Sequence, residues 1–220
     1  AASGSRTGNE FNITTDTGET FHAKKLIFAT GITDRLPAIE GFSECWGKSI
    51  VHCPYCHGYE IRGQNTAVLA NGERAFHLAT LLKNLTDQIT IITSGAPDFN
   101  ESQLQRLGAH HITIIETELI GVLHTDGQLR ALILRDGRSL NFEAMYAALP
   151  FKQHCDIPVA LGCQLTAQGH ISVDGMQKTS VDGVFACGDN ASMLRSVANA
   201  VHTGNFTGAV VNRELCEERF

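Results

Sequence analysis

What this 220-residue sequence lacks already excludes several classes of protein. It has no run of 18 apolar residues, so we expect no transmembrane helix and no membrane partner. Lysine and arginine do not cluster and the net charge is −6, which argues against a nucleic-acid partner. The first six residues, AASGSR, do not have the charged-then-apolar pattern of a secretion signal. With 43% hydrophobic residues, the chain can bury the core of one large domain or two modest domains.

The seven cysteines have no regular framework spacing, and their number is odd. A disulfide-stabilised secreted domain usually has an even, patterned set. We therefore expect a reducing, cytoplasmic location. In that compartment, a close pair of cysteines is more often catalytic or metal-binding than structural.

The one close pair lies in the segment His52–Glu60, which reads HCPYCHGYE. The spacing of Cys53 and Cys56 lets two sulfurs close a disulfide across a single turn, or lets each thiolate influence the chemistry of the other. This segment is therefore the candidate reactive centre of the chain.

Four interpretations of this pair remain open from the residues alone. Cys53-x-x-Cys56-His57 matches the attachment signature of c-type haem. Zinc binding by the two cysteines and a flanking histidine is a second interpretation, although the second ligand pair of a structural zinc site is missing. Cys-Pro-Tyr-Cys also occurs in the active site of glutaredoxins, which are small proteins. The fourth interpretation is a redox disulfide within a larger nucleotide-binding flavoprotein.

Residues 64–94 have the pattern of a βαβ unit, with strands at 66–70 and 89–93 around a helix at 75–85. The connecting loop stands where the fingerprint G-x-G-x-x-G/A brings a dinucleotide pyrophosphate to a helix N-terminus. Ala70 replaces the first glycine of that fingerprint, whereas Gly72 and Ala75 fit it. The second strand ends in TSGA, which offers no acid for a ribose hydroxyl and no cation for a 2′-phosphate. Binding of NAD(P)H is therefore doubtful.

The remaining segments predict further β-structure and one long helix. Strands are expected at 11–15, 20–23, 25–31 and 145–150, and a β-meander at 111–149 with turns at 125–127 and 135–137. A strand at 184–187 runs into Gly188-Asp189, and ligands bind at that end of strands in doubly wound folds. A helix predicted over 192–212 follows, and its N-terminal amides could stabilise an anionic ring system.

Taken in order, four motifs resemble those of the low-molecular-weight thioredoxin reductase family, which are FAD-dependent pyridine nucleotide-disulfide oxidoreductases. They are Ala29-Thr30-Gly31, Cys53-x-x-Cys56, the altered loop at 70–75 and VFACGD at 184–189. The resemblance implies an α/β fold with two Rossmann-like, three-layer nucleotide-binding domains and β-meanders. It places FAD-domain pieces at 1–44 and 154–220 and an inserted nicotinamide-type domain at 45–153. Nothing before Phe11 matches the family's FAD pyrophosphate fingerprint, so we expect that segment to lie outside this sequence.

The resemblance also implies roles for individual residues. Cys56 would lie against the flavin as the charge-transfer thiolate, and Cys53 would be the interchange thiol that reacts with the partner. His57 replaces the acid usual in the family and is a competent proton donor to a leaving thiolate near neutral pH. The FAD-binding residues implied are Thr30, Gly31, Gly188, Asp189, Ser196, Val197 and Ala198, with Asp189 on the ribityl chain and the last three presenting backbone amides to the flavin. The other five cysteines are expected to be small buried hydrophobic residues.

The expected cofactor is thus FAD, and the expected partner is a thioredoxin-like protein or a small-molecule dithiol or disulfide. A homodimer is expected from the resemblance. The run CPYCHGYE is closer to nicotinamide-independent branches: oxidases that pass electrons from a small dithiol to oxygen, and reductases that use ferredoxin. A metal- or haem-binding module built on Cys53, Cys56 and His57 is the alternative from a different class.

Overall fold

The computed structural model describes residues 1–220 and divides them into two compact units. Unit 1 is Ala1–Asp34 with Phe151–Phe220, and unit 2 is Arg35–Pro150. Both divisions fall earlier in the chain than the expected 44/45 and 153/154. The first one moves because Phe42 and Cys45 are fully buried in the same core cluster as Ile50, in unit 2. That the units are the FAD and nicotinamide-type domains stays a prediction.

The secondary structure comprises fifteen strands and six α-helices, numbered here in chain order. The strands are β1 (Ser3–Thr7), β2 (Glu10–Thr14), β3 (Thr20–Ala23), β4 (Leu26–Phe28), β5 (Ile32–Asp34), β6 (Ile50–Val51), β7 (Thr66–Leu69), β8 (Ile89–Ile92), β9 (Thr113–Ile115), β10 (Leu119–Thr125), β11 (Gln128–Leu134), β12 (Ser139–Asn141), β13 (Ala144–Ala147), β14 (Phe151–Gln153) and β15 (Val184–Ala186). The helices are α1 (Phe42–Cys45), α2 (Pro54–His57), α3 (Gly72–Leu82), α4 (Glu101–Ala109), α5 (Ile157–Ala160) and α6 (Val197–Glu217). A single 3-10 turn covers Gly188–Asn190.

Unit 2 is organised around a five-stranded parallel sheet with the order β6-β13-β7-β8-β9. Its inner strands are short apolar runs, such as AMYA in β13, in which all four residues are buried. Such continuous apolar runs are typical of parallel strands covered on both faces. Helix α3 packs on the sheet through residues at helical spacing, among them Ala75, Leu78 and Leu82. The predicted βαβ unit is therefore confirmed.

The meander predicted over 111–149 is observed between Leu119 and Asn141 as the antiparallel sheet β10-β11-β12 of unit 2. The two ends of that range, β9 and β13, belong to the parallel sheet instead. Both predicted turns are present. The backbone has positive φ at Asp126 and Gly127 in the first turn and at Gly137 in the second. The inward side chains of β10 and β11 are buried in the core cluster that also contains Phe42 and Met145. The meander thus covers one face of the parallel sheet.

Unit 1 contains the antiparallel meander β1-β2-β3, a parallel pair β4-β15 and an antiparallel pair β5-β14. In the parallel pair Leu26 is opposite Val184 and Phe28 opposite Ala186, so both strands end at the same edge. Phe11, Phe28 and Val184 share one buried cluster. The long helix α6 follows at the C-terminal end of the chain.

Helix α6 differs from its prediction at both ends. It was expected over 192–212, but it begins at Val197 and continues to Glu217. Ser196 is the N-cap, because its Oγ accepts a hydrogen bond of 3.1 Å from the backbone N–H of Asn199. Strand β1 and the short helices α1 and α2 were not predicted. No helix has the length and apolar content needed to cross a lipid bilayer.

A cluster of partly buried ion pairs fastens α6 to the rest of unit 1. Lys25 Nζ lies 3.0 Å from Glu214 and 2.7 Å from Glu218, and Lys178 also pairs with Glu214. The side chains of Lys25 and Glu214 are only 10% and 13% exposed. Lys178, followed by Lys25, holds the pKa of the Glu214 carboxyl below its usual range.

Replacing Glu214 by Gln should therefore lower the free energy of unfolding by about 1–2 kcal/mol near pH 7. A carboxyl whose pKa is depressed by folding stabilises the protein above its unfolded-state pKa, and this contribution disappears as the pH falls through the folded-state value. The difference between Glu214→Gln and the parent should therefore shrink in acid. Urea unfolding near pH 7 and near pH 3 measures both effects.

Glu217→Gln is the matched control, because that carboxylate is 68% exposed and pairs only at 3.6 Å with Arg213. It should change stability by less than about 0.5 kcal/mol. Equal stabilities of Glu214→Gln and Glu217→Gln at both pH values would contradict a stabilising role for this cluster.

Candidate active site

The cysteine pair follows the carboxyl end of β6, the edge strand of the parallel sheet in unit 2. Cys53 has extended backbone (φ −126°, ψ 115°) and is the N-cap of the single-turn helix α2, with Pro54 at its first position. The turn closes through a hydrogen bond of 3.2 Å from the N–H of His57 to the carbonyl of Cys53. Cys53 is half-buried and Cys56 is exposed. An external thiol or disulfide can therefore reach this segment.

Gly58 allows this turn to pack closely against the rest of unit 2. A Cβ at this position would lie 2.2 Å from the carbonyl oxygen of Pro54 and 2.5 Å from Cδ1 of Leu85. The N–H of Gly58 also donates to that same carbonyl at 2.8 Å. Only glycine fits this position without displacing backbone.

Two histidines and a tryptophan line up beside the pair. The rings of Trp46 and His52 have centroids 6.1 Å apart, and His52 meets His57 edge-on at 6.3 Å. Nδ1 of His57 is buried and has no hydrogen-bond partner in the protein. The imidazole therefore has an unused hydrogen-bonding atom one residue from Cys56.

Exposed aromatic side chains border the pair. Tyr55 is 82% exposed and Tyr59 is 71% exposed. The guanidinium of Arg62 stacks on the ring of Tyr59 at 3.7 Å and donates to its backbone carbonyl. Exposed tyrosines of this kind give apolar contact area together with a polar tip. This surface can contact a substrate or a partner protein.

The altered dinucleotide loop follows β7 and is closed by its own side chains. Asn71 Oδ1 accepts hydrogen bonds from the N–H of Gly72 at 2.8 Å and of Asp98 at 2.9 Å, and Nδ2 of Asn71 donates to the carbonyl of Ala96 at 2.8 Å. A Cβ on Gly72 would lie 3.1 Å from the Asp98 carbonyl and 3.3 Å from its carboxylate. Asp98 therefore stands against the loop glycine, where a pyrophosphate would have to approach.

The segments around this loop are also bound to one another. Gln103 Nε2 donates to Glu73 in the first turn of α3 at 2.7 Å. Behind β8, Thr93 Oγ1 donates to the carbonyls of Gly95 and Ile115. The segment after β8 is thus bound to its own backbone and presents no cation, as the sequence indicates.

Three of the remaining cysteines behave as predicted. Cys45, Cys163 and Cys187 are buried, and burial raises the pKa of each thiol, so they stay protonated and unreactive at neutral pH. Cys155 is half-buried. Cys216 is exposed near the end of α6, so the prediction of burial is wrong for it, because α6 turns that position toward solvent.

In unit 1 a cavity of about 300 Å³ lies where β4 and β15 end. Five of the predicted cofactor residues line it: Gly31, Gly188, Asp189, Ser196 and Val197. Gly188 has a φ of +78°, a conformation that favours glycine. The N-terminus of the 21-residue helix α6 is at the same cavity. Strand ends, a glycine, a carboxylate and helix amides are thus brought together.

Two predicted residues lie outside this cavity. Ala198 is exposed and does not line it, because the one-residue step along α6 turns its side chain away. Thr30 instead accepts a hydrogen bond of 3.3 Å from Asn190 Nδ2 and lines a different cavity of about 720 Å³. Neither residue lines the 300 Å³ cavity, and their roles in FAD binding, through a backbone amide in the case of Ala198, stay predictions.

Asn190 is a residue of this region that the sequence analysis missed. It is fully buried, and its Nδ2 donates to the carbonyl of Phe28 at 2.8 Å, which links the end of β15 to β4. Its backbone carbonyl accepts from Gln153. A polar residue directly after Gly-Asp was the only signal for it. Its contacts span 37 positions to Gln153 and 162 positions to Phe28, so they do not show in a local pattern.

A buried polar layer surrounds Asn190. Oδ1 of Asn190, Oε1 of Gln153 and Nε2 of His170 are buried and have no hydrogen-bond partner in the protein. Arg195 makes a two-pronged ion pair with Asp34, with bonds of 3.0 and 3.1 Å. Burial, followed by Arg195, lowers the pKa of His170. Unpartnered buried atoms of this kind usually bond to a water or a ligand.

The described chain contains no group of three or more His, Cys, Asp or Glu side chains arranged to hold a metal ion. Cys53, Cys56 and His57 therefore do not form a preassembled zinc site.

The closed loop gives a direct test through Asn71. Asn71→Ala removes three hydrogen bonds, two of which join Asn71 to residues 96–98, so it should destabilise the protein by about 1–3 kcal/mol. Hydrogen exchange at the amides of Gly72 and Asp98 should accelerate. Asn84→Ala, at an exposed position in the turn after α3, is the control and should leave both quantities unchanged. Unaltered exchange in Asn71→Ala would contradict a closed loop.

Comparison with known proteins agrees with this architecture. The family model described as pyridine nucleotide-disulphide oxidoreductase matches residues 4–204. A thioredoxin reductase of Claviceps purpurea is 33% identical over 215 residues, which cover 94% of this chain and 67% of that protein. The crystal structure of an oxidoreductase from Agrobacterium tumefaciens is 32% identical, with a TM-score of 0.88. The match covers 98% of this chain and 72% of that one.

The thioredoxin reductase structure from Streptococcus pyogenes has the same fold, with a TM-score of 0.88 at 21% identity, over 99% of this chain and 73% of that one. The chain belongs to the pyridine nucleotide-disulphide oxidoreductase family and is similar to its thioredoxin reductases. It is an FAD-dependent thiol–disulfide oxidoreductase with two Rossmann-like domains. The predicted family, fold class, enzyme class and FAD cofactor are confirmed.

Proposed function

We propose that Cys53 and Cys56 form the redox-active pair of this oxidoreductase, and that its electrons do not come from a nicotinamide. The second half of the proposal rests on one observation. Asn71 and Asp98 close the dinucleotide loop and place a carboxylate where the pyrophosphate would approach. The direction favoured is oxidation of an external dithiol, with oxygen as final acceptor. Reduction of a thioredoxin-like protein by a non-nicotinamide donor is the alternative.

The residues of unit 1 fit FAD. Asp189 offers a carboxylate acceptor for ribityl hydroxyls, and the bare backbone at Gly188 permits close approach. The amides at the start of α6, from Val197 onward, provide positive dipole ends for an electron-rich ring. When bound, FAD would supply the redox group that passes the two electrons of the cysteine pair to or from an acceptor or donor that is not a disulfide. Gly31 and Ser196 also line the site.

The exchange steps at the cysteines balance in both directions. In dithiol oxidation a substrate thiolate attacks Sγ of Cys53, the Cys53–Cys56 bond breaks, and Cys56 leaves as a thiolate. The second substrate thiolate then attacks the mixed disulfide and releases Cys53. The substrate leaves as a disulfide and the pair as a dithiol, so two electrons move and no atom is lost. The reverse sequence reduces a partner disulfide.

His57 is proposed to carry the proton in these steps. Nδ1 of His57 is buried and has no hydrogen-bond partner in the protein, and His57 directly follows Cys56 in the sequence. A neutral imidazole can take the proton of an incoming thiol, and an imidazolium can return it to a leaving thiolate. Nearby, Tyr55 and Tyr59 would contact the substrate. The homodimer and the cytoplasmic location stay predictions.

The electron donor is tested by mixing the FAD-loaded protein anaerobically with dithiothreitol or with NADPH. The dithiol should bleach the flavin absorbance, and air should restore it. NADPH should not bleach it on the same time scale, because Asp98 opposes the pyrophosphate. Rapid bleaching by NADPH would contradict the closed loop, and bleaching by neither reagent would contradict the dithiol oxidase.

The roles of the sulfurs are tested by Cys53→Ser and Cys56→Ser. Each should lower dithiol turnover about a thousandfold or more, because a hydroxyl cannot form the disulfide. Cys216→Ser removes another exposed thiol and should retain full turnover. Normal FAD content in all three proteins shows that the folds are intact. Turnover that survives in Cys53→Ser would show that the pair is not the redox centre.

A further inference from the structure

Tyr146 is the one large polar side chain buried beneath the cysteine pair. It lies in β13, is 1% exposed, and belongs to the core cluster that also contains Val51 and Leu82. Its hydroxyl is buried and has no hydrogen-bond partner in the protein. Buried tyrosine hydroxyls normally find a partner, so this one requires an explanation.

Strand pairing directs Tyr146 toward Cys53. β13 and β6 are parallel neighbours, and Tyr146 is opposite Val51. Paired residues have their side chains on the same face of a sheet, and so do residues two apart along a strand. Cys53 follows Val51 by two positions and has extended backbone. It therefore lies on the Tyr146 side of the sheet, just past the end of β6.

Electrostatics agree with this placement. Burial, with smaller contributions from the charges of Cys53 and Glu60, raises the pKa of Tyr146 to about 12. The other neighbours of Tyr146 in its core cluster are apolar. The phenol stays protonated at every physiological pH, whereas an ordinary thiol ionises several pH units lower. A hydrogen bond from this phenol to a thiolate would therefore leave the proton on oxygen.

We propose that Tyr146 is a positioning residue of the cysteine site, whose Oη–H donates a hydrogen bond to Sγ of Cys53 when that sulfur is a thiolate. The inference rests on the proposed function, which makes Cys53 a reacting thiol. A thiolate is a much better acceptor than a thiol, so we expect the bond when the free thiol of Cys53 ionises. The hydroxyl thereby stabilises the nucleophilic form of Cys53.

The test is the pH profile of Cys53 alkylation in the FAD-loaded Cys56→Ser protein. Iodoacetamide is added, and the Cys53 peptide is quantified by mass spectrometry. Adding Tyr146→Phe should move the midpoint to higher pH and slow alkylation at pH 7 about threefold to tenfold, as the loss of one hydrogen bond to a charged sulfur implies. Cys216 in the same samples is an internal reference and should keep its rate.

Thr66→Val is the matched control, because it also removes one buried hydroxyl from the same sheet, but that hydroxyl lies at the start of β7 and donates to the carbonyl of Gln64. It should leave the Cys53 profile unchanged. Tyr146→Phe keeps the buried ring, so its thermal midpoint should equal that of the parent or exceed it. An unchanged Cys53 profile in Tyr146→Phe would overturn the inference, as would a shift of equal size in Thr66→Val.

These outcomes are separate from those that test the proposed function. If Cys53 is not the redox thiol, Cys53→Ser keeps its turnover, whatever the alkylation profile shows. If only the Tyr146 inference fails, Cys53→Ser is inactive while Tyr146→Phe alkylates like the parent. A purely structural tyrosine would lower the thermal midpoint of Tyr146→Phe and leave the profile in place, which also overturns the inference.

Discussion

The position of β13 between β6 and β7 is the constraint on which unit 2 depends. The strand comes last in its sheet along the chain but pairs in parallel with both neighbours, Met145 opposite Ile50 on one side and Ala67 on the other. β6 contributes only two residues and has no other partner within a strand, so β13 fixes its position. Because the strands are parallel, the cysteine segment and the altered loop are carried to the same edge of the sheet.

This edge of the sheet has the backbone geometry of a dinucleotide site, but its side chains are not those that such a site needs. A dinucleotide site needs bare backbone at a helix N-terminus and a favourable charge behind the next strand. Here the glycine and the helix are present, but Asn71 uses its amide to bind the facing segment. The carboxylate of Asp98 lies where the negatively charged phosphates would bind, so it would repel them. Unit 2 has the parallel sheet and βαβ unit of a Rossmann-like domain, whereas the contacts of its loop disfavour a nicotinamide nucleotide.

Much of this architecture could be predicted from local patterns. Runs such as TAVL and ITII predict buried strands, and the sheet then confirms the βαβ unit. The Ser196 cap could have been predicted from the sequence, because serine is one of the preferred N-cap residues. Without that cap, the predicted start of the helix was 192 rather than Val197. Helix α2 has one turn and no periodicity to detect.

Other features depend on contacts between distant segments and have no local signal. Asn71 bonds to Asp98 across 27 positions, and Asn190 bonds to Phe28 across 162. Tyr146 reads as one more apolar strand residue until the register with Val51 is known. The boundary at Asp34 is likewise set by where Phe42 is buried rather than by composition. Motifs could locate the reactive segment, but tertiary pairing decides what surrounds it.

The direction of electron flow that we propose depends on how strongly the protein stabilises the reduced pair. Disulfide exchange is reversible, and its equilibrium depends on the difference in reduction potential between the pair and its partner. Any interaction that favours the dithiolate form over the disulfide makes the pair more oxidising, by about 30 mV for each tenfold stabilisation. A hydrogen bond from Tyr146 that forms only with the Cys53 thiolate acts in this sense. Together with a loop that opposes nicotinamide, it favours a pair that takes electrons from a dithiol over one that gives them to a disulfide.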